Sequence, residues 1–169
     1  MAEYQLVAKF HTQPNGELPV IQTVSFGSGK KYFVLRDKKP YLMAEADAVS
    51  NFFDKACIFG KYLCIGTGDT VIFVNLETFG SISMQVNFYF GYFFIYENML
   101  YIASGTGITA VNTSIQTVWK DEGLAVDGVV IHEVCKKENQ EYLRISCEMD
   151  PPGGWVEKYV NLKNGEVLL

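Results

Sequence analysis

YIASGTGITAVNTSIQTVWK, residues 101–120, contains a short apolar run, a Gly-Thr-Gly, a second apolar run and a third strand-like segment. A Gly-Thr-Gly after an apolar run is also how a dinucleotide-binding loop begins. Such a loop needs a third glycine three residues after the second, and then a helix whose N-terminus faces the phosphate. After Gly107 come Ile108, Thr109 and Ala110, which are typical of a strand. The stretch therefore predicts a β-hairpin, in which the glycines supply a turn with positive φ.

The same plan recurs on either side of this stretch. The run from Tyr62 to Asn75 and the run from Tyr142 to Asn161 follow the same order as the run from Tyr101 to Asn112, and the tyrosines are 39 and 41 residues apart. All-strand repeats with a period near 40 residues are typical of β-propeller blades. The three runs differ in length by even numbers of residues, which keeps every side chain on its original face of a strand.

Further apolar strands precede and follow each run, so that each unit contains about four strands, as a propeller blade does. The predicted units of the single domain 1–169 are 55–86, 87–120 and 127–169, with a degenerate unit over 1–54. In that first unit YFVL and YLMAEA are joined by a polar turn, and residues 45–54 are the one candidate for a helical turn. The N-terminal strand EYQLVAKF is predicted to pair with the last unit, which closes a ring or covers an edge.

Residues 101–120 resemble a blade of the quinoprotein-type (PQQ-like) β-propeller family, whose repeats combine an apolar strand, a Gly turn, Ala-apolar-Asn, Thr/Ser, Gly and Trp-Lys. Residues 62–84 and 142–168 are similar, and the turn glycine is matched by Gly165 and Gly80. The resemblance covers about residues 55–169. Members of that family have seven or eight blades, whereas this chain has room for three or four. It therefore implies the fold without the cofactor pocket, so that no cofactor and no dehydrogenase activity are expected.

The predicted fold is all-β and antiparallel, with three to four propeller-blade-like four-stranded units that make a small or incomplete β-propeller. A complete small ring, an open stack of sheets and an irregular β-sandwich are the alternatives, in that order. The aromatic run FYFGYFFIY, residues 88–96, predicts a central strand or one buried by a partner, with a bulge or a close backbone approach at Gly91. The competing interpretation of this run is a surface for self-association or for a partner.

Composition limits the classes of partner. The 169 residues carry a formal net charge of −5, which disfavours nucleic acid because phosphate backbones are repelled. The N-terminal segment has no apolar core of signal-peptide length, and the most apolar stretch is far shorter than the roughly 20 residues of a spanning helix, so no membrane contact is expected. The four cysteines predict free thiols buried in strands rather than a metal site, and the expected location is the cytoplasm.

The candidate binding site is the stretch that departs from the repeat. It lies where the third run carries extra residues, and its proline and glycine pairs predict a defined loop that displays a tryptophan beside carboxylates. The predicted binding residues of this rim loop are Glu148, Asp150, Pro151, Pro152, Gly153, Gly154 and Trp155. Two alternatives are open: the Trp155 ring caps the core beneath the loop, or Glu148 and Asp150 form a calcium site.

No catalytic constellation is present in the sequence, because neither histidine stands in a Ser-His-Asp or Cys-His pattern. His132 lies in the strand-like VVIHEV and is interpreted as a strand histidine. The expected function is a non-enzymatic, soluble protein-binding module, in its specific form an immunity- or inhibitor-type protein that neutralises a basic partner. The competing function is a small-molecule-binding or enzymatic β-domain with a pocket at the blade axis.

Overall fold

The computed structural model describes residues 2–10, 21–49 and 53–168. All the regular secondary structure in these ranges is β-strand. No helix in the described ranges is long and apolar enough to cross a membrane. The strands are β1 (Tyr4–Val7), β2 (Gln22–Phe26), β3 (Gly29–Arg36), β4 (Lys39–Asp47), β5 (Lys55–Phe59), β6 (Tyr62–Thr67), β7 (Thr70–Asn75), β8 (Ser81–Gln85), β9 (Phe90–Tyr96), β10 (Met99–Ser104), β11 (Ile108–Asn112), β12 (Thr117–Asp121), β13 (Val129–Lys137), β14 (Gln140–Glu148) and β15 (Trp155–Asn161).

The strands form four sheets, which confirms the all-β fold of blade-like units. Sheet 2 contains β5 to β8, sheet 3 contains β9 to β12 and sheet 4 contains β13 to β15, each an antiparallel meander in chain order. In sheet 4 an isolated antiparallel bridge between Val160 and Val167 takes the place of a fourth strand. Sheet 1 differs, because its order is β1-β3-β4-β2 and β2 runs parallel to β4.

One expectation for the first unit is wrong, and a second is wrong in part. The N-terminal strand does not pair with the last unit, since Tyr4 of β1 lies opposite Arg36 and β1 occupies the free edge of β3. Residues 45–47 of the predicted helical turn belong to β4 instead, while the described Phe53 lies in a turn. Ala44 and Ala46 are both fully buried, which is the period of two residues that a strand requires. Residues 50–52 of the proposed turn lie outside the described residues.

The buried side chains form three clusters, and each cluster joins two consecutive sheets. One joins sheets 1 and 2, the second joins sheets 2 and 3, and the third joins sheets 3 and 4. No buried cluster of the described residues joins sheets 1 and 4, so these residues form an open stack of sheets rather than a closed ring. The outer face of sheet 4 carries a polar cluster, in which Arg144 donates to Glu133 (2.9 Å) and to Glu157 (3.0 Å), beside the exposed Val130.

The repeat is visible in the hydrogen bonds of three equivalent turns. The side-chain Oδ1 atoms of Asn75, Asn112 and Asn161 each accept the N–H two residues further on, at 2.9 Å in every case. The carbonyl of the same asparagine then accepts the N–H of a residue with positive φ, namely Phe79, Ile115 or Gly165. These asparagines fix the turns at the end of the sheets opposite the candidate site.

The register corrects the sequence alignment at two positions. Tyr62 lies opposite Asn75 and Tyr142 lies opposite Asn161, but Met99 rather than Tyr101 lies opposite Asn112. In the alignment of the three runs, Met99 rather than Tyr101 is therefore the residue equivalent to Tyr62 and Tyr142. The turn glycine of the first run is also displaced, because the left-handed position is held by Phe79 and not by the glycine that follows it.

The asparagine turns give a stability prediction. Replacing Asn112 by alanine removes the acceptor for the N–H groups of Ser114 and Gln116, so the free energy of unfolding should fall by about 1 kcal/mol. Thr113→Ala in the same turn is the matched control, because the Thr113 side chain is exposed and should cost less than about 0.5 kcal/mol. Urea denaturation of both variants measures the difference, and equal midpoints would contradict this role for the asparagine.

The Gly-Thr-Gly stretches are hairpin turns, as predicted, but the positive φ expected at their glycines is present only at Gly68. Gly68 begins the β6–β7 turn with φ +55°. Gly105 and Gly107 flank the β10–β11 turn without positive φ, and they are glycines because their surroundings leave no room for a side chain. A Cβ on Gly107 would lie 2.7 Å from the Cα of Glu122, and one on Gly105 would lie 2.8 Å from the Tyr89 ring.

Candidate functional site

The loops at one end of the four sheets form a continuous surface, which we call the Trp155 rim. Its described members are residues 27–28, 48–49, 53–54, 68–69, 86–89, 105–107, 122–128 and 149–154, with Trp155 itself. The loop that carries Trp155 follows β14 in sheet 4, the last sheet of the stack. The rim therefore combines the predicted loop with segments from all the other sheets.

Main-chain hydrogen bonds connect these loops from sheet to sheet. The N–H of Phe90 donates to the carbonyl of Gly68 (2.6 Å), and the N–H of Gly105 donates to the carbonyl of Tyr89 (3.0 Å). Further along, the N–H of Val126 donates to the carbonyl of Glu148 (2.9 Å). On the sheet 1 side, the Thr67 hydroxyl donates to the carbonyl of Asp47 at 2.7 Å. Because these groups are paired, hydrogen bonds fix the conformation of the rim.

The loop of residues 149–154, which contains most of the predicted stretch from Asp150 to Trp155, is closed by its own hydrogen bonds. The Met149 N–H donates to the Gly154 carbonyl at 2.8 Å, and the Gly154 N–H donates to the Asp150 carbonyl at 3.0 Å. Glu148 accepts the Gly153 N–H at 2.6 Å, so this carboxylate holds the loop. Pro151 and Pro152 are joined by a cis peptide bond, and Gly153 has φ +102°. The sequence motif thus folds as the defined loop that its prolines and glycines predict.

Trp155 lies on the surface of this rim and belongs to none of the buried clusters of described residues. Its side chain is 47% exposed. The six-membered ring lies against Gly128, where a Cβ would meet the ring at 3.3 Å, and the Glu148 carboxylate and the Tyr89 hydroxyl approach the same point. The tryptophan therefore rests on the rim rather than capping the core beneath it, and it is supported from below on one side.

Exposed apolar side chains are concentrated on the Trp155 rim. Of the eleven large exposed apolar residues that the described chain holds, six lie here. They are Val49, Phe53, Phe88, Val126, Met149 and Trp155. Five of them come from the loops after β4, β8, β12 and β14, and Trp155 begins β15, so that these side chains are distributed over the ends of all four sheets. Apolar side chains gathered on one surface in this way mark interaction sites on soluble proteins.

Phe88 is the most exposed of these side chains, at 73%. Its φ of +65° lies in the left-handed region, which is costly for a bulky residue. Next to it, Tyr89 stacks on Phe53 with ring centroids 5.3 Å apart and donates its hydroxyl hydrogen to Asp127 at 2.8 Å. Burial and this hydrogen bond raise the pKa of Tyr89 to about 12, so the phenol stays protonated near neutrality. A strained, displayed aromatic beside a fixed tyrosine is typical of a functional surface.

The charge of the rim is negative. Its described loops contain neither lysine nor arginine, while Asp69, Glu122, Asp127 and Asp150 lie in them. Two neighbouring cations are engaged: Lys120 pairs with Glu122, and Lys158 donates to the carbonyl of Leu124 at 2.7 Å. Lys31 and Lys55, near the rim ends of β3 and β5, have exposed side chains. The surface is therefore both aromatic and acidic.

A cavity of about 590 Å³ opens into this rim between sheets 1 and 2. Apolar side chains of Phe26, Val49 and Phe88 line it together with the carboxylates of Asp47 and Asp69. A second cavity, of about 420 Å³, lies at the opposite end of the sheets, where Lys136, Gln140 and Asn161 line it. The first cavity therefore gives the Trp155 rim a concave part.

The remaining candidate residues lie elsewhere. His132 lies on the outer face of sheet 4, where its Nε2 and the Ser146 hydroxyl are 2.7 Å apart on an exposed surface. In the described part of the chain, no three His, Cys, Asp or Glu side chains are grouped to hold a metal ion. Cys64 and Cys147 are buried in strands, and Cys57 and Cys135 are half-buried in strands, all as free thiols.

The sequence did not predict that Phe88 and Tyr89 belong to the Trp155 rim. Phe88 and Tyr89 begin the aromatic run that was interpreted as buried strand, but β9 starts after them at Phe90. β9 is an edge strand of sheet 3 rather than a central one, and strands of the flanking sheets cover it. The bulge predicted at Gly91 is present, because the register skips this residue between Tyr92 and Phe90. The signal for an exposed turn was the polar Asn87 that precedes the run.

Comparison with known proteins adds no family: no protein-family model matches the chain, and no curated protein matches it.

Proposed function

We propose that this chain is a non-enzymatic, cytoplasmic protein-binding module whose Trp155 rim binds a basic protein. The observation that carries the proposal is the concentration of exposed apolar side chains on this rim, with Trp155 and Phe88 as the two aromatic anchors. Tryptophan and tyrosine are enriched among the few residues that supply most of the binding energy at protein interfaces, because they bury large areas at small entropic cost.

The charge of the rim supports a basic partner. Asp69 lies in the β6–β7 turn of sheet 2 and Asp150 lies in the β14–β15 loop of sheet 4, and both side chains are exposed. The chain as a whole carries a formal net charge of −5, which has the same sign as the charge of the rim. Both therefore attract a basic partner. Complementary charge of this kind speeds association and selects among partners. Small size and negative charge together suggest an immunity- or inhibitor-type protein that neutralises a basic toxin or enzyme.

One observation favours a second candidate function. The cavity beside Phe26 and Asp69 is large enough for a small molecule, whose typical sites measure about 300–1,000 Å³. A small-molecule site at the rim differs from the pocket at the blade axis that the sequence suggested. If this is the function, the described chain should bind a low-molecular-weight ligand without retaining any protein.

Charge variants test the proposed function. The full chain, immobilised, should retain a basic protein in stoichiometric amount from native lysate of its source at low salt, and raised ionic strength should release it. The double variant Asp69→Asn, Asp150→Asn should bind the isolated partner about fivefold more weakly, because two rim charges are lost.

The control removes the same charge from the opposite end of the sheets. Glu77 and Glu166 lie in turns there, and the double variant Glu77→Gln, Glu166→Gln should bind as the unmodified chain does. Equal weakening by the two double variants would show a long-range effect of net charge rather than a rim contact. An acidic partner, or retention that is insensitive to salt, would overturn the proposal.

A further inference from the structure

Two of the four cysteines face each other across adjacent strands. Cys57 in β5 lies directly opposite Cys64 in β6 in the antiparallel ladder. Their side chains therefore lie on the same face of sheet 2, and the two thiols are within hydrogen-bonding reach of each other. The other two cysteines have different partners, since Cys135 lies opposite Tyr142 and Cys147 lies opposite Val129.

The geometry of an antiparallel ladder suits a bond between opposed cysteines. Directly opposed residues have Cα atoms about 4.5–5.5 Å apart, inside the range of about 4.4–6.8 Å that disulfides span. The Cβ atoms must approach by up to about 1 Å, which small changes in strand twist can supply. We propose that Cys57 and Cys64 form a reversible cross-strand disulfide when the protein meets hydrogen peroxide, so that this pair is an oxidation site.

The two thiols differ in access, which sets the order of events. Cys64 is fully buried, and the hydrogen bond with Cys57 together with its burial raises the pKa of the Cys64 thiol. Cys57 is only half-buried, on an edge strand of sheet 2. The peroxide therefore reaches Cys57 first, and Cys64 acts as the resolving thiol.

The chemistry balances with one molecule of peroxide. The Cys57 sulfur, as thiolate, attacks one peroxide oxygen; the O–O bond breaks, and the leaving hydroxide takes up the thiol proton to become water. Cys57 is then a sulfenic acid. The Cys64 sulfur attacks the Cys57 sulfur, the S–S bond forms, and the sulfenic hydroxyl leaves with the Cys64 proton as a second water. Two thiols are oxidised and the peroxide is reduced.

The sequence makes the product easy to detect. Trypsin cleaves after Lys55 and Lys61, so Cys57 falls in peptide 56–61 and Cys64 falls in peptide 62–120. The folded full chain is treated with hydrogen peroxide, its remaining thiols are alkylated, and the digest is examined by mass spectrometry. We expect peptides 56–61 and 62–120 to be joined before reduction and separate after it. Cys135 and Cys147, as the internal control, should remain available for alkylation after unfolding.

A variant and a second probe complete the test. Cys57→Ser removes the half-buried thiol and should abolish the joined peptide while leaving the fold intact. Phenylarsine oxide, which bridges two adjacent thiols, should bind the folded unmodified chain in a ratio of one to one and should not bind Cys57→Ser. The proposal is overturned if Cys57 ends as a sulfinic acid, joins a second chain, or stays alkylatable together with Cys64 after peroxide treatment.

Discussion

Replacing Gly107 by alanine should lower the free energy of unfolding by about 3 kcal/mol, which is the upper part of the range for an overpacked site. A Cβ at this position would overlap the carbonyl oxygen of Asp121 and would lie 2.7 Å from the Cα of Glu122. Both obstacles are main chain, so they cannot move aside as the end of a flexible side chain would. The N–H of Leu124 donates to the neighbouring Thr106 carbonyl at 3.0 Å, which holds the two loops together.

Gly123 offers the matched control for this substitution. It lies in the same rim, its φ is not positive, and a Cβ there would meet only the Asp121 carboxylate at an ordinary 3.5 Å. Gly123→Ala should therefore change the stability by less than about 0.5 kcal/mol. Urea denaturation followed by circular dichroism compares the two variants. Similar midpoints would show that the Gly105–Gly107 turn is not the close-packed scaffold described above.

The sequence predicted the fold well where its signal has a period of two residues. The alternation of apolar and polar residues indicated the strands, and the turns at Asn75, Asn112 and Asn161 were recognised as repeats. The same period explains the error in the middle run, where Met99 and not Tyr101 lies opposite Asn112. A shift of two residues leaves every side chain on the same face, so an apolar pattern cannot detect it.

Sheet 1 was less predictable because its pairing is not local. β3 and β4 form the expected hairpin, whose turn residues Asp37 and Lys38 both have positive φ. The parallel position of β2 beside β4 and the place of β1 beside β3 depend on which edges other strands leave free. Neither the turn residues nor the spacing of apolar residues indicates which edge β1 and β2 occupy, so these pairings are known only from the structure of the whole sheet.

The candidate site was predicted in part for a similar reason. The stretch from Asp150 to Trp155 is recognisable in the sequence as an insertion in a repeat, and its prolines and glycines predict a turn. Phe88, Tyr89 and Val126 come from loops that are distant in sequence and meet at the rim because the sheets stack in order. Their proximity is a property of the stack rather than of any one motif.

Replacing Trp155 by alanine should weaken binding of the partner about 30-fold, which corresponds to about 2 kcal/mol. The indole is half-exposed at the start of β15, directly after a loop that backbone hydrogen bonds close, so its removal should leave the fold unchanged. Its support on Gly128 means that the partner meets a ring of fixed orientation. Val118→Ala on β12 removes a similarly exposed apolar side chain outside the rim, and it should leave the affinity unchanged.

The most direct test is calorimetric titration of the purified partner into the unmodified chain, Trp155→Ala and Val118→Ala. Circular dichroism and thermal unfolding of each variant should first show an unchanged fold. A dissociation constant that rises about 30-fold for Trp155→Ala and stays constant for Val118→Ala is the predicted result. Equal affinity of the unmodified chain and Trp155→Ala would contradict the assignment of the Trp155 rim as the binding surface.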